Sequence, residues 1–181
     1  MLLRILKPFV IVGFVFGSTA AFAAAQQPQA APQQAAPAPS GEAASGKTPK
    51  AAAESAEKGQ LKSPYADFAT VADEGHKKYM AAGCNGCHGG GGGGGMGPPL
   101  TNEVWIYGKD DDTLFRLVAL GSDGLKAHGY ARKGSENVVG PMPAMGEIVK
   151  SDDDMWKIIA WIRSVNPSSA SASAASPPPA E

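Results

Sequence analysis

Basic residues are in short supply. Sixteen Lys and Arg stand against seventeen Asp and Glu, a formal net charge of −1, with no basic patch and no interleaved aromatics, which excludes the electrostatic footprint of a nucleic-acid binder. No stretch alternates apolar and polar residues between turn signals, so a sheet is not expected. Large apolar side chains are almost missing from 26–62, which is Ala, Pro, Gln and Ser with scattered charges, and from 167–181, which ends near Pro177-Pro178-Pro179. Neither segment buries enough surface to offset the entropy of ordering, so the first reads as a disordered linker and the second as a disordered tail. Cysteine occurs only twice.

What is present begins with an N-terminal export pattern. Arg4 and Lys7 precede the uncharged apolar stretch around Phe9, Val12 and Phe16, and small residues follow at Ala21, Ala23 and Ala25. Residues 1–25 therefore read as a secretory signal peptide cleaved after Ala23 or Ala25, which places the mature chain in the periplasm with a formal charge of −3. The alternative is an uncut membrane anchor, since the apolar stretch approaches the roughly 18 residues needed to span a bilayer.

The remaining segment, 63–166, holds all three tryptophans, both cysteines and all three histidines and is the one domain expected. A helix is predicted over 67–82, because Phe68, Ala72, Gly75, Tyr79 and Ala82 recur at steps of three and four, and Gly83 stops it. A second is predicted over 112–120, entered through Asp110-Asp111-Asp112 and closed by Gly121. A third starts at the cap Ser151, carries Met155, Ile158, Ile159, Ile162 and Val165 on one stripe, and ends at Asn166-Pro167. The class is all-α, with long loops rich in Gly and Pro. Loops of that length in a small domain mean either disorder or a buried group to wrap around.

Cys84-Asn85-Gly86-Cys87-His88 supplies such a group. An even pair of cysteines in an exported protein reads by default as a disulfide, but C-x-x-C-H is the pattern of covalent haem attachment. Two thiols at i and i+3 can each form a thioether to a haem vinyl group, and the adjacent His88 then serves as proximal iron ligand. A thioredoxin-like dithiol would need a βαβ pattern, and a zinc site a second ligand pair; neither is present.

An electron-transfer haem needs a sixth ligand, and a thioether sulfur favours ferrous iron. Of the six methionines, Met1 leaves with the signal, while Met80 and Met155 fall within predicted helices; Met96, Met142 and Met145 remain. Met142 and Met145 lie in Gly140-Pro141-Met142-Pro143-Ala144-Met145-Gly146, where each proline fixes its own φ and disfavours helix before it. A stiff loop of this kind can hold a sulfur against iron.

With these motifs in place, 63–166 resembles the class I cytochromes c. The resemblance implies that Gly75 and Tyr79 pack against an aromatic on the last helix, Trp161. Gly97-Pro98-Pro99-Leu100 looks like the family's Gly-Pro-x-Leu and so assigns to the Pro98 carbonyl the hydrogen bond from His88 Nδ1. Met142-Pro143-Ala144 looks like the Met-Pro-Ala ligand motif, which makes Met142 the distal iron ligand, with Met145 the second choice and otherwise an apolar neighbour of the haem. The glycines of 89–95, Pro99-Leu100-Thr101-Asn102, Val104-Trp105, the run 110–117 and 134–146 further resemble periplasmic cytochromes c associated with PQQ-dependent methanol dehydrogenase in methylotrophic proteobacteria. That likeness implies a one-electron carrier and not an enzyme, taking electrons from a PQQ-dependent alcohol dehydrogenase and passing them to another cytochrome or a terminal oxidase.

Several features have plainer readings. The glycine run has no Gly-Lys-Ser or Gly-Lys-Thr after it and no strand before it, so it is expected to be a flexible loop near the haem edge, not a phosphate site. His128 could replace methionine on iron but reads better as an exposed loop histidine, as does His76 on its helix. Trp105 and Tyr107 are expected in the haem pocket, and Arg116, Arg132 and Lys133 on the solvated surface. Two rivals to the carrier stand: a peroxidase-like haem enzyme with a labile sixth ligand, and a cytochrome module tethered to the membrane by an uncut signal.

Overall fold

The acidic first turns and glycine stops place the helices much as the side-chain pattern demands. In the computed structural model, residues 45–137, 140–166 and 168 are described, and all of them belong to a unit spanning Pro37–Glu181. The signal peptide expected over 1–25, the first part of the expected linker and, apart from Ser168, the expected tail lie outside the described residues. Among the described residues there are five α-helices, α1 (Pro49–Ser55), α2 (Ala72–Ala81), α3 (Asn85–His88), α4 (Asp111–Ala127) and α5 (Asp152–Val165), one 3-10 turn (Phe68–Thr70) and no strands. None of these helices is long and apolar enough to cross a membrane.

Helix α5 forms as its sequence requires. The Ser151 side chain accepts from Asp154 N at 3.1 Å, three aspartates fill the first turn, and Met155, Ile158, Ile159 and Ile162 are buried along one stripe. The helix expected over 67–82 is divided: Asp67 caps the 3-10 turn through Ala69 N, and α2 starts only at Ala72. Helices α2 and α5 cross at Gly75, where a Cβ would fall 1.9 Å from the Lys157 carbonyl oxygen, and beside the crossing the Tyr79 and Trp161 rings pack at a tilt of 45° with centroids 4.2 Å apart. Only a residue without a side chain lets the two backbones approach so closely.

Two expectations are corrected here. Gly121 was expected to close its helix; it breaks it instead, at φ 71°, and the chain resumes helix to Ala127. The linker expected to run to residue 62 ends earlier, because residues 45–62 are folded onto α4 and α5. Thr48 caps α1 and Pro49 sits in its first turn, while Ala52 and Ala53 are buried in the main core beside Phe115, Val118 and Met145. Alanine buries little area, but it lets a helix pack closely without costing side-chain entropy, a possibility the scarcity of large apolar residues concealed.

The segment is also held by polar groups. Arg116, expected on the surface, is 2 % exposed. Its Nε donates to Asp112 at 3.0 Å, its two terminal nitrogens donate to the carbonyls of Ala53, Ala56 and Glu57 at the C-terminal end of α1, and Asp112 in turn accepts from Leu61 N and from the Tyr130 hydroxyl. A buried guanidinium needs this full set of partners to offset its desolvation.

Candidate cofactor site

The site is built from the chain that leaves α2. Gly83, at φ 78°, turns the backbone, and α3 then winds one turn in which His88 N donates to Cys84 O at 3.0 Å. That i, i+4 relation sets Cys84 and His88 on one face of the turn, and both line a cavity of about 300 Å³. Cys87 lies on the same turn and does not line the cavity; its Cβ is 3.4 Å from where a Gly97 side chain would begin. The two cysteines are free thiols and not a disulfide.

His88 Nδ1 lies 2.9 Å from the Pro98 carbonyl oxygen. A carbonyl can only accept, so Nδ1 carries the proton and Nε2 keeps its lone pair, the tautomer required of a metal ligand. Gly97 makes this approach possible, since a Cβ there would sit 2.9 Å from His88 Cε1. The glycine run 89–95 is not the loosely held loop that was expected. Gly94 N donates to His88 O at 2.8 Å, Gly97 N to Cys87 O at 2.9 Å and Leu100 N to Gly92 O at 2.7 Å, while Tyr79 donates its hydroxyl to Gly89 O at 2.6 Å and His76 bonds Gly90 O at 2.8 Å. Burial pushes the Tyr79 phenol up, to about 12, and the neutral hydroxyl donates.

The loop that carries Met142 is set by the break in α4. Beyond Gly121 the Ser122 N–H, which an unbroken helix would give to Val118, donates to Met142 O at 2.9 Å, and the Ser122 hydroxyl accepts from Met142 N at 2.9 Å. Val118 O and Ala119 O accept instead from Met145 N and Gly146 N, at 2.9 and 3.0 Å. Glycine is required at the break, because a Cβ on Gly121 would fall 2.6 Å from Met142 O in a backbone conformation that L-residues rarely adopt.

Of the five methionines among the described residues, Met142 alone lines the cavity. Met145 and Met155 are buried in the core, Met80 is partly exposed and Met96 is 73 % exposed. His128 is exposed and does not line the cavity; its Nδ1 bonds Gly124 O at 2.8 Å as it caps α4. Trp105 and Tyr107 line the cavity as expected, with Leu114, Ile158 and Ile162 completing apolar walls. Arg132 and Lys126 also reach it, so for Arg132 the plain surface reading was incomplete. Sequence reasoning missed Ser122 altogether; a small hydroxyl directly after a helical glycine was the one available signal.

A thiol, an imidazole with its Nε2 free and a thioether, converging on an apolar cavity, are the donor set that haem c takes, and the residues present fit that group. The cytochrome c family matches residues 72–166, and the all-α fold and the C-x-x-C-H turn agree with it. The chain belongs to the cytochrome c family; it is a class I c-type cytochrome, an electron-carrying haem protein with covalently bound haem c, and Cys84 and Cys87 fit the C-x-x-C-H attachment motif. No curated protein matches the chain.

Proposed function

We propose that this cytochrome is a periplasmic one-electron carrier in which His88 and Met142 are the axial iron ligands, and that it accepts electrons from a PQQ-dependent alcohol dehydrogenase, methanol being the expected substrate of that enzyme. The observation that carries the ligand assignment is that Met142, its backbone bonded at both ends to Ser122, shares a cavity with His88. When bound, the haem supplies a ferric/ferrous couple. The chain contributes the rest. Pro98 orients the imidazole; the loop holds a soft sulfur that would favour the ferrous state and raise the potential; Leu114, Ile158 and Ile162 supply apolar walls. A carboxylate or a second imidazole, needed for acid–base work above iron, is absent from the described residues that line the cavity, which favours a carrier over a peroxidase-like enzyme.

The test is an absorption spectrum of the oxidised periplasmic protein, read for the weak red band of sulfur-ligated ferric iron. It is expected in the wild type and in Met145→Ala and lost in Met142→Ala, with a lower reduction potential. A wild-type spectrum without the band would point to an open site and restore the enzyme reading. The pathway is supported by the sequence likeness alone. Rapid mixing of the ferric protein with a substrate-reduced PQQ-dependent methanol dehydrogenase should give fast reduction, and N-terminal sequencing of the mature protein should start at residue 24 or 26; an intact N-terminus would favour the tethered module.

A further inference from the structure

The segment in front of the part matched by the family has a use in the same site. We propose that residues 45–62 form a clamp that holds the Met142 loop against the cavity, with Ala53, Lys50 and Arg116 as positioning residues; this rests on the reading of Met142 as iron ligand.

The loop is layered between two helices. On its inner side it is bonded to α4 at Ser122, Val118 and Ala119. On its outer side Lys50 N, at the start of α1, donates to Gly146 O at 3.3 Å. The fit at Gly146 has no spare room, because a Cβ there would lie 2.6 Å from Ala119 O and 2.8 Å from Lys50 N. Met145 is buried in the same cluster as Ala52 and Ala53, and the bond from Lys50 N holds the backbone four residues after Met142.

Helix α1 could not do this alone. Seven residues are far below the length at which an isolated helix persists in water, and its place is fixed from outside. The Arg116 fork holds its C-terminal carbonyls. Before its N-terminus, Ser45 N and Oγ each donate to Asp152 at 2.6 Å, and Lys47 O accepts from Asp152 N at 3.1 Å. Arg116 and Asp152 belong to α4 and α5, both of which also wall the cavity, so the clamp ties the loop to the scaffold that carries the haem. A loop gripped on one face opens more often than a loop gripped on two, and each opening would withdraw the Met142 sulfur from the cavity.

Imidazole, which competes with methionine for ferric iron, measures that opening, since its apparent affinity scales with the fraction of molecules whose site is vacant. Titrating the oxidised full-length protein with imidazole while following the red band should give an apparent affinity about tenfold higher in Ala53→Asp than in wild type, with helicity retained. Arg116→Lys keeps the ion pair with Asp112 but gives up the fork to three carbonyls; it should raise the affinity by about threefold and decides the matter if Ala53→Asp does not fold. Asp67→Ala removes the side chain that accepts from Ala69 N at the 3-10 turn, where no bond of the clamp is made, and should leave imidazole affinity unchanged. Unchanged affinity in folded Arg116→Lys and Ala53→Asp, or an equal rise in Asp67→Ala, would overturn the clamp. A wild type without the sulfur band would instead remove the ligand assignment on which the clamp depends.

Discussion

Gly75 has no side chain where α2 comes against the backbone of α5. A methyl group there would lie 1.9 Å from Lys157 O and 3.1 Å from the Trp161 Cβ, so Gly75→Ala must push the helices apart and disturb the packing of Tyr79 on Trp161. The expected loss is about 3 kcal/mol, read as a lower urea midpoint with the visible spectrum of the folded protein unchanged. This residue was legible in advance, through its place on the helix face and the family likeness. Arg116 was not. Nothing in Leu114-Phe115-Arg116-Leu117 distinguishes an arginine pointing to solvent from one directed at another segment's carbonyls, because its partners lie some 60 positions away.

The helices divide in the same way. Helix α5 is encoded locally by a cap, three aspartates at the positive end of its dipole and a continuous apolar stripe. Ser151→Ala removes the hydroxyl that accepts from Asp154 N and should lower stability by about 1 kcal/mol, seen in chemical denaturation. Helix α4 shows where local reasoning stops. Gly121 was a sound stop signal, and the helical ladder does break there, but whether the chain then leaves or resumes is decided by the Met142 loop, which takes up the bonds the break releases. Helix α1 carries its own start signal in Thr48-Pro49, yet its short alanine-rich body only becomes a helix because α4 and the loop supply a surface to cover.

Across the whole molecule, the junction of the N-terminal segment with α4 should be the acid-sensitive point. Burial raises the Asp112 carboxyl, but bonds from Tyr130, Arg116 and the N–H groups of Leu61 and Gly59 outweigh it, so its pKa ends below the ordinary carboxylate value. A folded-state pKa below the unfolded one means that the stabilisation is complete above the unfolded value, about 4, and is lost as pH falls through the folded value. Urea midpoints measured from neutral pH downwards should therefore fall in the wild type below pH about 4. Asp112→Asn should start lower, by about 3 kcal/mol for the unpaired buried Arg116, and show a flatter acid limb; an acid limb as steep as the wild type's would assign the loss to another carboxylate.

The amino-acid sequence by itself determined the helical class, the C-x-x-C-H motif that Cys84 and Cys87 fit and the stiffness of the Pro141–Pro143 loop, because each of these depends on residues within a few positions of one another. Among the methionines, helix prediction set aside Met80 and Met155 and the proline loop favoured Met142 and Met145, while only the motif ranked Met142 first. The tertiary structure puts Met142 on the cavity and Met145 in the core, which supports the proposed ligand. It alone decided the fate of residues 45–62, whose burial depends on Arg116, Asp112 and Asp152. Contacts between residues so far apart in the chain leave no periodic trace in either segment; only the folded arrangement brings the donors and their carbonyls together.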